Sequence, residues 1–145
     1  MPLLHVENLT KNFGGLKAVD RLSFHVGRNE IVGLIGPNGA GKSTTIRLIA
    51  GILNPTSGKV LFKDNNITGK PISKIVNMGL GFTFQIVRPF RHLPVIANVM
   101  IPCLSPRSRR KGEWVKTVEL RARDALEFCG IADLALEPAS ILSHG

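Results

Sequence analysis

A glycine-rich loop between two apolar segments constrains this chain more than any other feature. Residues 36–43, Gly-Pro-Asn-Gly-Ala-Gly-Lys-Ser, match the pattern G-x-x-x-x-G-K-[ST] at every fixed position. The apolar run at 31–35 before the loop predicts a buried strand. The mixed apolar and polar residues after the loop predict an amphipathic helix, which Gly51 is placed to end. Strand, loop and helix in this order indicate a phosphate-binding loop, and an incidental glycine-rich turn is the weaker alternative.

The residue types in the loop explain the chemistry that it can perform. Glycine lets backbone N–H groups approach phosphate oxygens closely, because a side chain at these positions would clash. The N-terminus of the following helix adds its dipole to the same anion. We expect Lys42 to contact the β- and γ-phosphates and the Ser43 hydroxyl to hold Mg²⁺. The predicted ligand is a nucleoside triphosphate, and the predicted contacts are Gly36, Pro37, Asn38, Gly39, Ala40, Gly41, Lys42, Ser43 and Thr44.

The rest of the sequence divides near residue 85 into a strand-rich part and a helical part. Apolar alternation between turn residues predicts four further strands, at 3–8, 18–26, 59–62 and 80–84. Helical spacing predicts three further helices, at 72–78, from Pro94 to a stop at Pro102, and at 113–128. We therefore expect an α/β fold with a β ribbon and nucleotide-binding core at 1–85 and a helical subdomain at 86–145.

Composition narrows the class of protein. A chain of 145 residues with 43% hydrophobic and 20% charged residues fits one soluble globular domain. No apolar run approaches the roughly 20 residues needed to span a bilayer, and the first residues lack the pattern of a signal peptide. The two cysteines, Cys103 and Cys129, have no metal-ligand spacing and are expected to be buried or incidental thiols in a reducing cytosol.

The net charge of +9 indicates an anionic partner only weakly. Much of the excess lies in a basic run at 107–111, which follows Pro106 and is expected to be an exposed loop. A nucleic-acid site favours aromatic side chains among the basic ones, and this chain has no tyrosine and no aromatic residue within the run. We therefore expect no nucleic-acid partner.

Several features together resemble the ATP-binding subunit of an ABC transporter, over essentially the whole chain. Residues 36–44 match the Walker A motif of that family, and Gln85, which ends a predicted strand, matches the Q-loop. The last four residues, Leu-Ser-His-Gly at 142–145, begin 100 residues after Lys42 and match the start of the LSxGQ signature. Phe13 falls where the family places the aromatic A-loop residue that stacks on adenine.

The resemblance implies a role for each matching residue. Gln85 becomes a contact to Mg²⁺ and to the attacking water, and it also senses the transmembrane partner. Ser143 and Gly145 are expected to contact the nucleotide of a second ATPase subunit in trans, since two subunits of this family sandwich two ATP molecules. Taken singly, each match has another explanation: Phe13 as ribbon or core packing, Gln85 as a polar strand end, and 142–145 as a common tetrapeptide.

A finer resemblance points to the ATPases of branched-chain amino acid importers. It rests on Phe-Gly-Gly at 13–15, on GLGFTFQIVR at 79–88 and on the segment 90–99. Importers of urea or other amides share the pattern, as do lipopolysaccharide-export ATPases in part. Because other subunits of such transporters bind the substrate, the resemblance leaves the substrate, the direction of transport and the permease open.

The residues with which the family hydrolyses ATP come after the signature: a Walker B aspartate, an adjacent glutamate and a later histidine. The chain stops before them. Four acidic residues of the helical part follow no apolar strand and are expected to be surface or capping charges: Asp124, Glu127, Asp133 and Glu137. We therefore expect no catalytic residue here beyond the Gln85 contact, turnover near zero, weak ATP binding and poor solubility from unpaired strand edges.

The sequence thus predicts the N-terminal portion of a P-loop ABC ATPase, truncated before Walker B. The protein is expected to be cytoplasmic and peripheral on the inner face of the cell membrane, which it reaches only through permease subunits. ATP binding would close a homo- or heterodimer of ATPase subunits, and hydrolysis would open it. Two alternatives remain: a soluble ABC-type ATPase acting on nucleic acid or ribosomes, and a non-hydrolytic ATP-sensing module.

Overall fold

The structure is a computed structural model that describes residues 2–84, 88–105 and 115–142. It divides into two units, Met1–Phe82 and Thr83–Gly145. Among the described residues, the first unit holds an antiparallel sheet and two helices, and the second holds two helices followed by two 3₁₀ turns. Within the described ranges, no helix combines the length and the apolar character that crossing a membrane requires.

Four antiparallel strands form the sheet of the first unit. They are β1 (Leu4–Phe13), β2 (Leu16–Val26), β3 (Ser57–Phe62) and β4 (Asn65–Asn66), hydrogen-bonded in the order β2-β1-β3-β4. The strands predicted at 3–8, 18–26 and 59–62 are confirmed, and β1 continues five residues further than the sequence indicated, to the Gly14-Gly15 turn. This extension makes β1 and β2 one long hairpin, which carries Phe13 at its tip.

Two helices pack against the sheet. The first, α1 (Lys42–Ile49), begins at the end of the glycine-rich loop, and the second, α2 (Ile72–Met78), lies between Pro71 and Gly79. Both were predicted from local signals and are confirmed. The core consists of buried side chains from the sheet, from both helices and from the segment between β4 and α2: Val6, Leu9, Val19, Leu48, Ile49, Val60, Phe62, Ile67 and Ile75.

The strands predicted at 31–35 and 80–84 are wrong for this structure. The four-stranded sheet includes neither segment, and Ile31 and Ile35 are 100% and 94% exposed. A strand exists only when a neighbour completes its hydrogen-bond ladder, and an apolar run reports a preference for burial without saying where that neighbour lies. Parts of both segments instead line an open apolar groove of about 390 Å³, which α1 and the hairpin also border.

The second unit is helical, as the sequence predicted. Helix α3 (Val95–Cys103) follows Pro94, and α4 (Val115–Phe128) is described from Val115 onward. The predicted stop at Pro102 is wrong by one residue, because a proline in the last helical turn removes one hydrogen bond without preventing the next residue from remaining helical. Two 3₁₀ turns follow, at Ala132–Leu134 and Ala139–Ile141. The core of this unit contains Val95, Ile96, Ala122, Leu126, Ala135 and Ala139.

One side chain of α3 organises the loop before that helix. The Asn98 Oδ1 atom accepts a hydrogen bond from the Phe90 N–H at 2.8 Å. The Nδ2 atom of the same amide donates to the carbonyl oxygens of Phe90 at 3.2 Å and Pro94 at 3.1 Å. A single amide thus closes the turn at 90–94 from both sides, which explains why a polar residue occupies a half-buried position in an otherwise apolar helix.

Asn98→Ala is expected to speed amide hydrogen exchange at Phe90 about fivefold or more, because a hydrogen bond of this kind contributes about 1 kcal/mol. The exchange rate of the Phe90 amide, measured by NMR, checks this expectation. Lys116→Ala, at an exposed position of α4, is the matched control and is expected to leave the rate unchanged. Equal rates in the Asn98→Ala variant and the unaltered protein would contradict the role of Asn98.

Candidate functional site

The glycine-rich loop leads directly into α1, and its shape depends on two glycines. Gly39 and Gly41 both have a φ of +84°, a left-handed conformation that residues with a Cβ adopt only at a cost. At Gly41 a Cβ would also lie closer than 3.0 Å to the backbone carbonyl oxygen of Ala18, on β2. The loop therefore sits tightly against the hairpin at Gly41, while no atom within 4 Å would meet a Cβ at Gly39.

The N-terminus of α1 is suited to bind an anion. Its N-cap residue is Gly41, which has no side chain to satisfy the first N–H groups of the helix, and its first turn contains no acidic residue. The first backbone N–H groups of a helix lack partners inside the helix, and the helix dipole places partial positive charge on them. The Thr45 N–H bonds the Gly41 carbonyl oxygen at 2.8 Å, which fixes the first turn of α1 behind the loop.

The ammonium group of Lys42 lies across the loop. Its Nζ atom donates hydrogen bonds to the carbonyl oxygens of Gly36 at 2.6 Å and Pro37 at 2.7 Å. The two ends of the loop are thus joined through one cation. Phosphate oxygens carry negative charge and accept stronger hydrogen bonds than neutral carbonyl oxygens. Lys42 can therefore exchange the two carbonyl acceptors for oxygens of a bound triphosphate.

The residues present also fit a magnesium ion held mainly by phosphate. Ser43 lies in the first turn of α1 with an exposed side chain, and its hydroxyl is the hard oxygen ligand that Mg²⁺ prefers. Among the described residues, no group of three histidine, cysteine or acidic side chains could hold a metal. Mg²⁺ commonly takes only one or two protein ligands and completes its shell with phosphate oxygens and water.

Of the four other predicted site residues, the structure describes one, Phe13. Phe13 ends β1 beside the hairpin turn and is 46% exposed, which argues against the alternative that it serves as core packing. Gln85, Ser143 and Gly145 lie outside the described residues, as does the basic run at 107–111. The prediction that four acidic residues of the helical part are surface or capping charges is confirmed, since Asp124, Glu127, Asp133 and Glu137 are all exposed.

The two cysteines match the expectation of incidental thiols. Cys103 is half-buried, Cys129 is exposed, and both are free.

One residue near the predicted site was not singled out from the sequence. Lys11 lies two positions before Phe13 on β1, and its ammonium group contacts the Phe13 ring. The spacing of two residues along a strand, which places both side chains on one face, is the signal that could have found it.

Comparison with known families and proteins gives consistent matches. The family described as ABC transporter matches residues 19–145. The high-affinity branched-chain amino acid transport ATP-binding protein LivG of Escherichia coli K12 is 45% identical over 100 residues, which cover 69% of this chain and 39% of that protein. A probable branched-chain amino acid transport ATP-binding protein LivG of Methanocaldococcus jannaschii is 34% identical over 153 residues, covering 100% of this chain and 60% of that protein.

Solved structures give the same result at the level of the fold. A nucleotide-free ATP-binding cassette from an ABC transporter superposes with a TM-score of 0.81 and 34% identity, over 99% of this chain and 60% of the other. A cassette in its ADP conformation gives 0.82 and 33%, again over 99% and 60%. The chain thus spans 39% to 60% of the length of these relatives and solved structures.

Proposed function

This chain belongs to the ABC transporter family, and we propose that it forms the nucleotide-binding part of an ATPase that drives import of branched-chain amino acids. Its fold class is the one expected from the sequence, an α/β ABC-type P-loop domain, and the likeness to solved cassettes confirms it. The branched-chain substrate is supported by the names of the relatives from Escherichia coli and Methanocaldococcus jannaschii. Binding of the amino acid itself is assigned to other subunits.

The observation that carries the proposal is the arrangement of loop, helix N-terminus and lysine. No acidic or capping side chain competes with an anion for the N–H groups at the start of α1. On binding of ATP at residues 36–44, Lys42 is proposed to move from the Gly36 and Pro37 carbonyl oxygens to the β- and γ-phosphates. Phe13 is proposed to stack on adenine, which is compatible with its exposed ring.

Ser43 and Gln85 are proposed to hold Mg²⁺, and Gln85 also to contact the attacking water. The metal neutralises charge that develops on the phosphates when the γ-phosphoryl group is transferred. Within 1–145 we assign no catalytic carboxylate, because none of the acidic residues Asp124, Glu127, Asp133 and Glu137 follows an apolar strand, and all four are exposed. Hydrolysis is therefore proposed to depend on further residues of the complete ATPase.

The partners proposed are transmembrane permease subunits and a second ATPase subunit, which gives a homo- or heterodimer of ATPase chains. Ser143 and Gly145 would contact the nucleotide held by that second subunit, so that two ATP molecules lie between two ATPase chains. The protein would lie on the cytoplasmic face of the membrane, which it would reach through the permease. No nucleic-acid partner is proposed.

The proposal predicts that uptake of labelled leucine depends on this phosphate loop. In cells whose only copy of the gene carries Lys42→Met, leucine uptake is expected to fall at least tenfold, because the ammonium that binds the phosphates is gone. Uptake of sulfate is the control and is expected to stay unchanged, because a separate relative, from Rhizobium meliloti, is named for the import of sulfate and thiosulfate. Normal leucine uptake in the Lys42→Met cells, together with measurable ATP binding by the purified unaltered protein, would contradict the proposed substrate. It would leave the proposed nucleotide site standing.

A further inference from the structure

One cation lies against the exposed ring at the tip of the hairpin. The Lys11 Nζ atom lies 5.1 Å from the centroid of the Phe13 ring, within the range of a cation–π contact. The same atom donates a hydrogen bond to the Asn54 carbonyl oxygen at 2.7 Å. Asn54 lies in the turn after α1, five residues beyond the end of that helix. Lys11 therefore connects the ring to the backbone that follows the phosphate-binding helix.

We propose that Lys11 is a positioning residue for the adenine base. This inference rests on the proposed function, in which Phe13 stacks on adenine. The ammonium occupies one face of the ring, which leaves the opposite face for the base. Because the hydrogen bond to Asn54 restrains the flexible lysine side chain, the ring is held in one orientation relative to α1, the helix whose N-terminus binds the phosphates. Lys11 thus sets the distance between the base and phosphate subsites.

A purely structural role for Lys11 is less consistent with its surroundings. The end of β1 is already joined to the same turn by two other hydrogen bonds. The Thr56 N–H donates to the Thr10 carbonyl oxygen at 2.8 Å, and the Asn12 N–H donates to the Thr56 hydroxyl at 3.0 Å. The hairpin is therefore held in place without Lys11, and what Lys11 adds to these bonds is its contact with the ring.

The first unit supplies a matched control of the same chemistry. The Lys63 Nζ atom lies 5.0 Å from the centroid of the Phe62 ring, a distance almost equal to that of the Lys11 pair. Phe62 is 5% exposed, so its ring cannot stack on a base. Removing the charge at Lys63 removes a cation–π contact without touching the proposed base subsite.

Two ligands distinguish binding of the base from binding of the phosphates: ATP carries both, and inorganic tripolyphosphate carries phosphates alone. Each is titrated with Mg²⁺ into the complete gene product, and calorimetry measures its affinity. Lys11→Met is expected to weaken ATP binding about two- to fivefold, the size of an exposed cation–π contact, and to leave tripolyphosphate binding unchanged. Lys11→Arg is expected to restore ATP binding, because guanidinium also lies well over aromatic rings. Lys63→Met is expected to change neither affinity.

A double variant completes the test. After Phe13→Leu, which removes the ring, Lys11→Met is expected to have no further effect on ATP affinity. Equal weakening of both ligands by Lys11→Met, or a full additional loss on top of Phe13→Leu, would overturn the positioning role. If Phe13→Leu leaves a normal ATP affinity unchanged, the roles of Phe13 and Lys11 at the base both fail, while ATP binding at the phosphate loop stands. If the unaltered protein does not bind ATP, the proposed function fails with it.

Discussion

Lys42→Ala is expected to weaken binding of ATP with Mg²⁺ about 100-fold. The ammonium is the one side-chain cation of the proposed phosphate contacts, and hydrogen bonds to charged groups contribute about 1.5–3 kcal/mol. Folding is expected to change little, because the present acceptors of Lys42 are the carbonyl oxygens of Gly36 and Pro37, both in an exposed loop where water can replace the lysine. Calorimetric titration with ATP measures the affinity, and urea denaturation measures the stability.

The control for this variant is another lysine of the same unit. Lys74→Ala removes the same charge from an exposed position of α2 and is expected to change ATP affinity less than twofold. A similar loss of affinity in both variants would mean that ATP is attracted by the general positive charge of the protein. It would also show that the bonds of Lys42 across the loop are unrelated to phosphate binding.

The phosphate-loop region and the helices could be predicted because their signals are local. The glycine pattern at 36–43 is encoded by eight consecutive residues. Helix α1 ends two residues before Gly51, the glycine that the sequence marked as its end, and α2 ends directly before Gly79. Local signals depend on backbone conformation and on contacts between near neighbours, which the sequence shows directly. The fold class follows from the order of such elements, and the solved cassettes confirm it.

The strands at 31–35 and 80–84 were mispredicted because strand pairing is not local. Both runs are apolar and were expected to be buried in a sheet, yet the described sheet is built from the hairpin, β3 and β4. The hydrophobic pattern of a run does not encode its neighbour in the sheet, and the neighbour decides whether a ladder forms. The exposure of Ile31 and Ile35 shows the consequence: apolar side chains are left at the surface when the ladder is not made.

The contact between Lys11 and Phe13 was missed for a related reason. Their shared face follows from the period of a strand, but the acceptor that restrains Lys11 is Asn54, which lies 43 residues away in the chain. Such a bond depends on how the hairpin and the turn after α1 approach each other, and no sequence pattern records that approach. The sequence could therefore indicate the aromatic residue for the base and not the cation beside it.

Gly41→Ala is expected to lower the free energy of unfolding by about 2–5 kcal/mol. An alanine in the left-handed conformation costs about 1–2 kcal/mol, and crowding in a packed site adds about 1–3 kcal/mol. The crowding arises because the new Cβ would lie closer than 3.0 Å to the Ala18 carbonyl oxygen, and Val19 lies just beyond at 3.4 Å. Because Gly41 is the N-cap of α1, relief of this crowding is expected to shift the first-turn N–H groups, so ATP affinity is expected to fall at least tenfold as well.

Gly39→Ala is the matched comparison, because Gly39 has the same φ of +84° but no atom within 4 Å of the new Cβ. Its expected loss of stability is only the conformational part, about 1–2 kcal/mol. Urea denaturation of both variants measures the difference. A gap of about 2 kcal/mol between them would show that the loop is held by its contact with β2, so the hairpin that carries Phe13 and the loop that binds phosphate form one rigid structure. Equal losses of stability would show that the left-handed backbone conformation alone requires glycine at both positions.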